Sequence, residues 1–131
     1  MKTQRTALIA GASGLVGSHL LQLLLQNDNY SHVTALLRKP LPIQHPKLKQ
    51  VITDFEKLSE LPAINADDIF CCLGTTIKIA GSKNNFHQVD YNYVIELARL
   101  GKRLGSSQFV VISSMGADAH SIFFYNRNMW P

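Results

Sequence analysis

The chain has 131 residues, 46% of them apolar and 17% charged, with a formal net charge of +4. That length suits one domain over 1–131 with a substantial core, and the composition argues against disorder. The 13 basic residues are scattered rather than interleaved with aromatics, which gives nucleic-acid binding little support, and no apolar stretch reaches the ~18–20 residues of a membrane span.

Lys2 and Arg5 ahead of Ala-Leu-Ile-Ala-Gly-Ala have the outline of a secretory signal, but the segment reads better as a first strand, Thr6–Ala10. It runs into Gly-Ala-Ser-Gly-Leu-Val-Gly, with glycines at 11, 14 and 17, followed by an amphipathic helix over Leu15–Gln26. Gly11 permits a tight turn, Gly14 lets the main chain approach a diphosphate, and Gly17 lets the helix pack closely on the strand. The helix N-terminus then faces the anion. Gly11, Ser13, Gly14, Leu15, Val16 and Gly17 are therefore the candidate dinucleotide contacts. The rival is a glycine-rich turn without a ligand. A Walker-type loop fails, because no Gly-Lys-Ser/Thr follows.

Asn27-Asp28-Asn29 is a polar break, and Val33–Leu37 makes a second strand. An NAD site would place an acidic residue at its end to bind the ribose 2′-hydroxyl. Arg38 and Lys39 stand there instead, which favours NADP(H) over NAD(H), the plainer alternative being two solvated loop cations. Three prolines make 39–46 a loop, Lys49–Thr53 is a third strand, and Phe55–Leu61 a short helix. Asp54 is placed to accept from the adenine amino group or to cap that helix.

Asp68–Leu73 reads as a strand buried on both faces. Its adjacent Cys71 and Cys72 point to opposite faces, which suits neither a disulfide nor a metal site and points to a reducing, cytoplasmic compartment. At this strand's end, Cys72, Leu73, Gly74 and Thr75 bring backbone close to the middle of a bound dinucleotide, or form a plain turn. A polar loop over 75–85 precedes a long helix, Asn85–Leu104, closed by Gly105, and then a fifth strand, Phe109–Ser113. Ser113 and Ser114 end that strand, and Tyr125 follows eleven residues after Ser114. A tyrosine beside a serine could protonate a carbonyl, though such residues are more often structural. The histidines at 19, 32, 45, 87 and 120 show no ligand spacing, so no metal is expected. Strands alternating with helices specify a doubly wound parallel α/β sheet in order 3-2-1-4-5.

Together these segments resemble the short-chain dehydrogenase/reductase superfamily, in its atypical or extended branch, and within it the Tat-interacting-protein group of NADPH-binding oxidoreductase-like proteins. The carriers are Gly-Ala-Ser-Gly-Leu-Val-Gly at 11–17, Leu-Leu-Arg-Lys-Pro at 36–40, Cys-Cys-Leu-Gly-Thr-Thr at 71–76 and Ala-Gly-Ser at 80–82. Val-Asp-Tyr at 89–91, Ser-Ser-Met-Gly-Ala-Asp at 113–118 and Phe-Tyr-Asn-Arg at 124–127 complete them. The resemblance implies a Rossmann fold, with Ser114 and Tyr125 at the catalytic serine and tyrosine positions and Asp90 where extended members carry an asparagine. The family's Tyr-x-x-x-Lys lysine would fall at 129, which is Met129 here. Loss of that lysine removes a cation that lowers the tyrosine pKa.

Relatives continue beyond Pro131, so the chain is expected to be C-terminally truncated, to leave one flank of the fifth strand without cover, and to expose Phe123, Phe124 and Trp130 to self-association. Two functions stay open, besides an inert remnant. One is the cofactor half of an NADP(H)-dependent reductase for a small molecule, with weak or no turnover. The other is a non-catalytic NADPH sensor or protein-interaction module.

Overall fold

A computed structural model describes residues 4–61, 64–72, 93–114 and 120–126. Its strands are β1 (Arg5–Ala10), β2 (Tyr30–Leu37), β3 (Leu48–Ile52), β4 (Asp68–Cys71), β5 (Gln108–Ser114) and β6 (His120–Asn126). They form one sheet in the order β3-β2-β1-β4-β5-β6. The first five are parallel, as expected, and β6 runs antiparallel to β5. Among the described residues two α-helices, α1 (Leu15–Gln26) and α2 (Tyr93–Leu104), accompany the sheet, with a 3-10 segment over Phe55–Glu60.

Period-two alternation along β1 divides the core. Ala7 and Ile9 join Leu21, Leu24 and Leu25 of α1 with Val33, Ala35 and Leu37 of β2. Leu8 and Ala10 join Leu97 and Leu100 of α2 with Leu36, Ile69, Cys71 and Phe109. A strand covered on both faces has no polar side, which is why Ala-Leu-Ile-Ala shows no polar alternation. The same rule separates the two cysteines: Cys71 lies in the α2-side cluster and Cys72 packs against the α1-side cluster. Neither is in a disulfide.

Several boundaries differ from expectation. β2 begins at Tyr30 rather than Val33, because Arg5 pairs with Tyr30 and the Arg5 amide donates to Asn29 O at 2.7 Å. The short helix expected over Phe55–Leu61 is a 3-10 segment over Phe55–Glu60, broken by non-helical backbone at Lys57. β4 ends at Cys71, two residues short of its expected end. Of the helix expected over 85–104, residues 93–104 are described as α2 and 85–92 lie outside the described residues. Its end is as expected: Gly105 has φ +75°, its amide donates to Lys102 O, and the Ser106 amide donates to Gly101 O. That is a Schellman closure.

The outer edge of β5, expected to be uncovered, is paired along its whole length with β6. Ile122, Phe123, Phe124 and Tyr125 favour extended backbone, and an antiparallel return needs only a short connection. The exposure expected for Phe123, Phe124 and Trp130 concerns groups outside those described.

Candidate functional site

The ends of the central strands are in register: Ala10 lies beside Leu36 of β2 and Cys71 of β4, and Cys71 beside Val111 of β5. Their connections leave in opposite directions, β1 toward β2 and β4 toward β5, so a crevice opens above the carboxyl ends of β1 and β4. Gly11, Arg38, Asp54 and Cys72 all follow strands that end at this edge.

The three glycines of the turn do three different things. Gly11 has φ +87°, a left-handed conformation that glycine adopts without strain. Its carbonyl takes the Gly14 amide at 3.2 Å and closes the turn. At Gly17 a Cβ would stand 1.9 Å from Gly11 O, so the helix lies on the turn with no room for a side chain. Gly14 has ordinary extended backbone and would accept a Cβ, with Gly11 O 3.6 Å away. Packing within the protein therefore does not demand glycine at 14, whereas close approach of a ligand to the bare backbone would.

Gly14 is also the N-cap of α1, makes no side-chain capping bond, and is followed by no acidic residue in the first turn. The first amides of a helix need partners from outside it, and the positive end of the dipole favours an anion. Ser13 and Leu15 are exposed, Val16 is half-buried, and Ala12 and Gly17 are buried beneath them. Leu15 is 78% exposed, an apolar side chain held at the rim of the turn. An uncapped helix end, bare backbone at 14 and an apolar rim fit a dinucleotide diphosphate.

Around the turn, Arg38 and Lys39 are exposed immediately after β2. Leu37, the residue before them, accepts the Thr53 amide at 2.8 Å, which ties the ends of β2 and β3 together. Asp54 is exposed, and its carbonyl takes the Lys57 amide at 2.8 Å, so it stands immediately before the 3-10 segment. Cys72 continues the β1–β4 ladder, its amide donating to Ala10 O at 2.8 Å, and burial pushes its thiol up to about 11. Leu73, Gly74, Thr75, Asp90 and Met129 lie outside the described residues.

Ser114 and Tyr125 are not brought together. Ser114 sits at the carboxyl end of β5 opposite His120, whereas Tyr125 lies opposite Phe109 near the start of β5. Five register steps separate them, about 17 Å along the strand. Sequence spacing could not foresee this, because it followed from β6 turning back along β5.

A second polar cluster lies at the far edge of the sheet. Asp68, 1% exposed, accepts from Arg5 through both oxygens, at 2.8 Å from Nε and 2.6 Å from Nη2, and from the Tyr30 hydroxyl at 2.7 Å. Burial and this bond raise the Tyr30 pKa well above its ordinary value. The Asp68 carboxylate holds Arg5 still more firmly protonated. The Tyr30 ring stacks edge-on to Phe70, with centroids 6.2 Å apart. The cluster joins β1, β2 and β4 opposite the crevice, so it braces the sheet. Arg5, Tyr30 and Asp68 are far apart in sequence, and no local pattern marks them as partners.

The crevice, the strand order and the glycine turn define a dinucleotide-binding α/β domain of the Rossmann type. A family model described as NAD(P)H-binding matches residues 11–131, and the chain belongs to that family. It is 40% identical over 126 residues to Protein HTATIP2 of Rattus norvegicus, covering 92% of this chain and 52% of that protein. It is 33% identical over 126 residues to Protein FMP52, mitochondrial, of Debaryomyces hansenii, covering 94% of this chain and 56% of that one. The chain thus spans about half the length of the curated relatives it matches.

Among solved structures it is similar to MoeE5 in complex with UDP-glucose and NAD, with TM-score 0.67 and 25% identity over 86% of this chain and 39% of that one. It shares its fold with uronate dehydrogenase from Agrobacterium tumefaciens, with TM-score 0.68 and 18% identity over 86% of this chain and 41% of that one. It is an NAD(P)H-binding, oxidoreductase-like domain.

Proposed function

We propose that this domain takes NADP(H) in preference to NAD(H), as the cofactor-binding half of a reductase for a small molecule, with little or no turnover of its own. The carrying observation is the end of β2. There Arg38 and Lys39 are both exposed, in the position where an NAD site carries an acid for the 2′-hydroxyl. A guanidinium can hold a 2′-phosphate through two parallel bonds, and the lysine adds a point charge.

The proposed site uses Gly11, Ser13, Gly14, Leu15, Val16 and Gly17 at the diphosphate, Asp54 at the adenine, and 72–75 along the middle of the cofactor. A bound nicotinamide supplies hydride chemistry. The chain's own residues hold and orient it and keep one side of the crevice dry. The reading of low turnover rests on the separation of Ser114 from Tyr125 and on Met129, which replaces the lysine the family resemblance places there. Its two cysteines, neither in a disulfide, suit the reducing compartment proposed for it.

Fluorescence titration tests the cofactor assignment. NADPH is expected to bind more tightly than NADH, and Arg38→Ala to weaken NADPH about tenfold while leaving NADH nearly unchanged. Equal affinities for the two in the unaltered chain would refute the assignment. An NADPH-oxidation assay over a panel of carbonyl compounds should stay at background; rapid oxidation would refute the reading of low turnover.

A further inference from the structure

Gln50, on β3, makes contacts that the cofactor motifs do not explain. Its Oε1 accepts the Leu41 amide at 2.8 Å, and its Nε2 donates to Leu41 O at 3.2 Å and to Ile43 O at 3.0 Å. All three are bonds to the backbone of the proline-containing loop that follows Lys39. A side-chain amide carries one acceptor group and two donor hydrogens, so this one uses both functions on a single loop. The loop's Leu41 and Ile43 side chains pack against the α1-side core cluster, as does Leu48 on the same face of β3. Packing those side chains draws loop backbone out of water, where its amide and carbonyls need partners. Gln50 provides them.

The clamp has a consequence for the cations beside it. Leu37 is fixed by the β2–β3 ladder and by the Thr53 amide, and Leu41 is fixed by Gln50. Between these anchors stand Arg38, Lys39 and Pro40, whose ring removes a further backbone freedom. The two cations are therefore presented from a tripeptide held at both ends. Ordering a loose loop would subtract from the affinity of whatever the cations grip, and a loop already ordered avoids that loss.

We propose that Gln50 is a positioning residue for cofactor selectivity: by clamping residues 41–43 it holds Arg38 and Lys39 ready for a 2′-phosphate. The proposal rests on the NADP(H) reading above and goes beyond it, because Gln50 does not touch the cofactor. It acts on the part of the cofactor that distinguishes the two dinucleotides. Its removal therefore changes their affinity ratio, whereas loss of general stability would weaken both alike.

The test compares the full chain with Gln50→Leu, which keeps the bulk and loses all three bonds, and with Gln50→Asn, which stays polar but is one methylene shorter. Trypsin cleavage after Arg38, followed by mass spectrometry without cofactor, reads the clamp directly. NADPH and NADH titrations read its consequence, and Arg38→Ala serves as control. Cleavage after Arg38 is expected to quicken about tenfold in Gln50→Leu and less in Gln50→Asn. The NADPH-to-NADH affinity ratio is expected to fall about fivefold, with NADH within about twofold of the original. Unchanged cleavage, or equal losses for both dinucleotides, overturns the proposal. If Arg38→Ala leaves the ratio as it was, the reading of the cations fails instead, and the cleavage rates still decide whether Gln50 clamps the loop.

Discussion

At the scale of single residues, the glycine turn separates ligand chemistry from packing. Gly17 is needed by the fold, since a Cβ there would stand 1.9 Å from the backbone of Gly11. Gly17→Ala is expected to cost about 2–3 kcal/mol of stability, as overpacking does, read from a urea midpoint. Gly11→Ala should cost about 1–2 kcal/mol through its positive φ. Gly14→Ala meets only ordinary contacts, so its midpoint should move by less than about 0.5 kcal/mol while cofactor affinity falls. If Gly14→Ala bound the dinucleotide as tightly as the original chain, the ligand's approach to that backbone would be disproved. The glycine spacing was legible in the sequence; the division of labour was not, because it depends on how closely the helix lies on the turn.

At the scale of elements, the brace formed by Arg5, Tyr30 and Asp68 ties three strands at the edge away from the crevice. Asp68 is buried, but the Arg5 side chain is 40% exposed, so removing the carboxylate leaves a guanidinium that water still reaches. Asp68→Ala is expected to lower stability by about 1–3 kcal/mol through its lost charged hydrogen bonds, and Tyr30→Phe by about 1 kcal/mol, since it loses one hydrogen bond. Neither residue faces the crevice, so the ratio of NADPH to NADH affinity should hold in Tyr30→Phe, as titration would show. A shift in that ratio would mean that the two edges of the sheet are coupled. β6 teaches a related lesson: its apolar residues were noticed in the sequence, but its pairing with β5 is a nonlocal choice that no residue pattern within the segment announces.

Alkaline stability belongs to the molecule as a whole, because global unfolding counts every proton that the folded state retains. Burial lifts Cys72 from 9.0 to about 11, and Tyr30 is likewise raised by burial and by its bond to Asp68. Both groups hold their protons more tightly folded than unfolded. Their contribution is therefore complete below about pH 9; that of Cys72 is lost as pH rises through about 11, and that of Tyr30 at still higher pH. Urea midpoints should fall from pH 8.5 to 11, and a Cys72→Ala, Tyr30→Phe double variant should flatten that fall; an equal fall in both proteins would contradict the assignment. The same burial keeps Cys72 a neutral thiol near neutral pH, slow to react with alkylating reagents.

The order of strands and helices, the dinucleotide turn and the pair of cations after β2 were readable from residue order, because each is written in neighbours: period two or 3.6 in burial, glycines at fixed steps, charges beside a strand end. Chain folding decided the rest. The antiparallel course of β6 put Ser114 and Tyr125 five register steps apart. Strand pairing brought Arg5 and Tyr30 to Asp68, and the packing of Leu41 and Ile43 delivered their loop to Gln50. Such contacts join residues whose separation along the chain carries no periodic signal, so only the closure of the sheet and its core selects them.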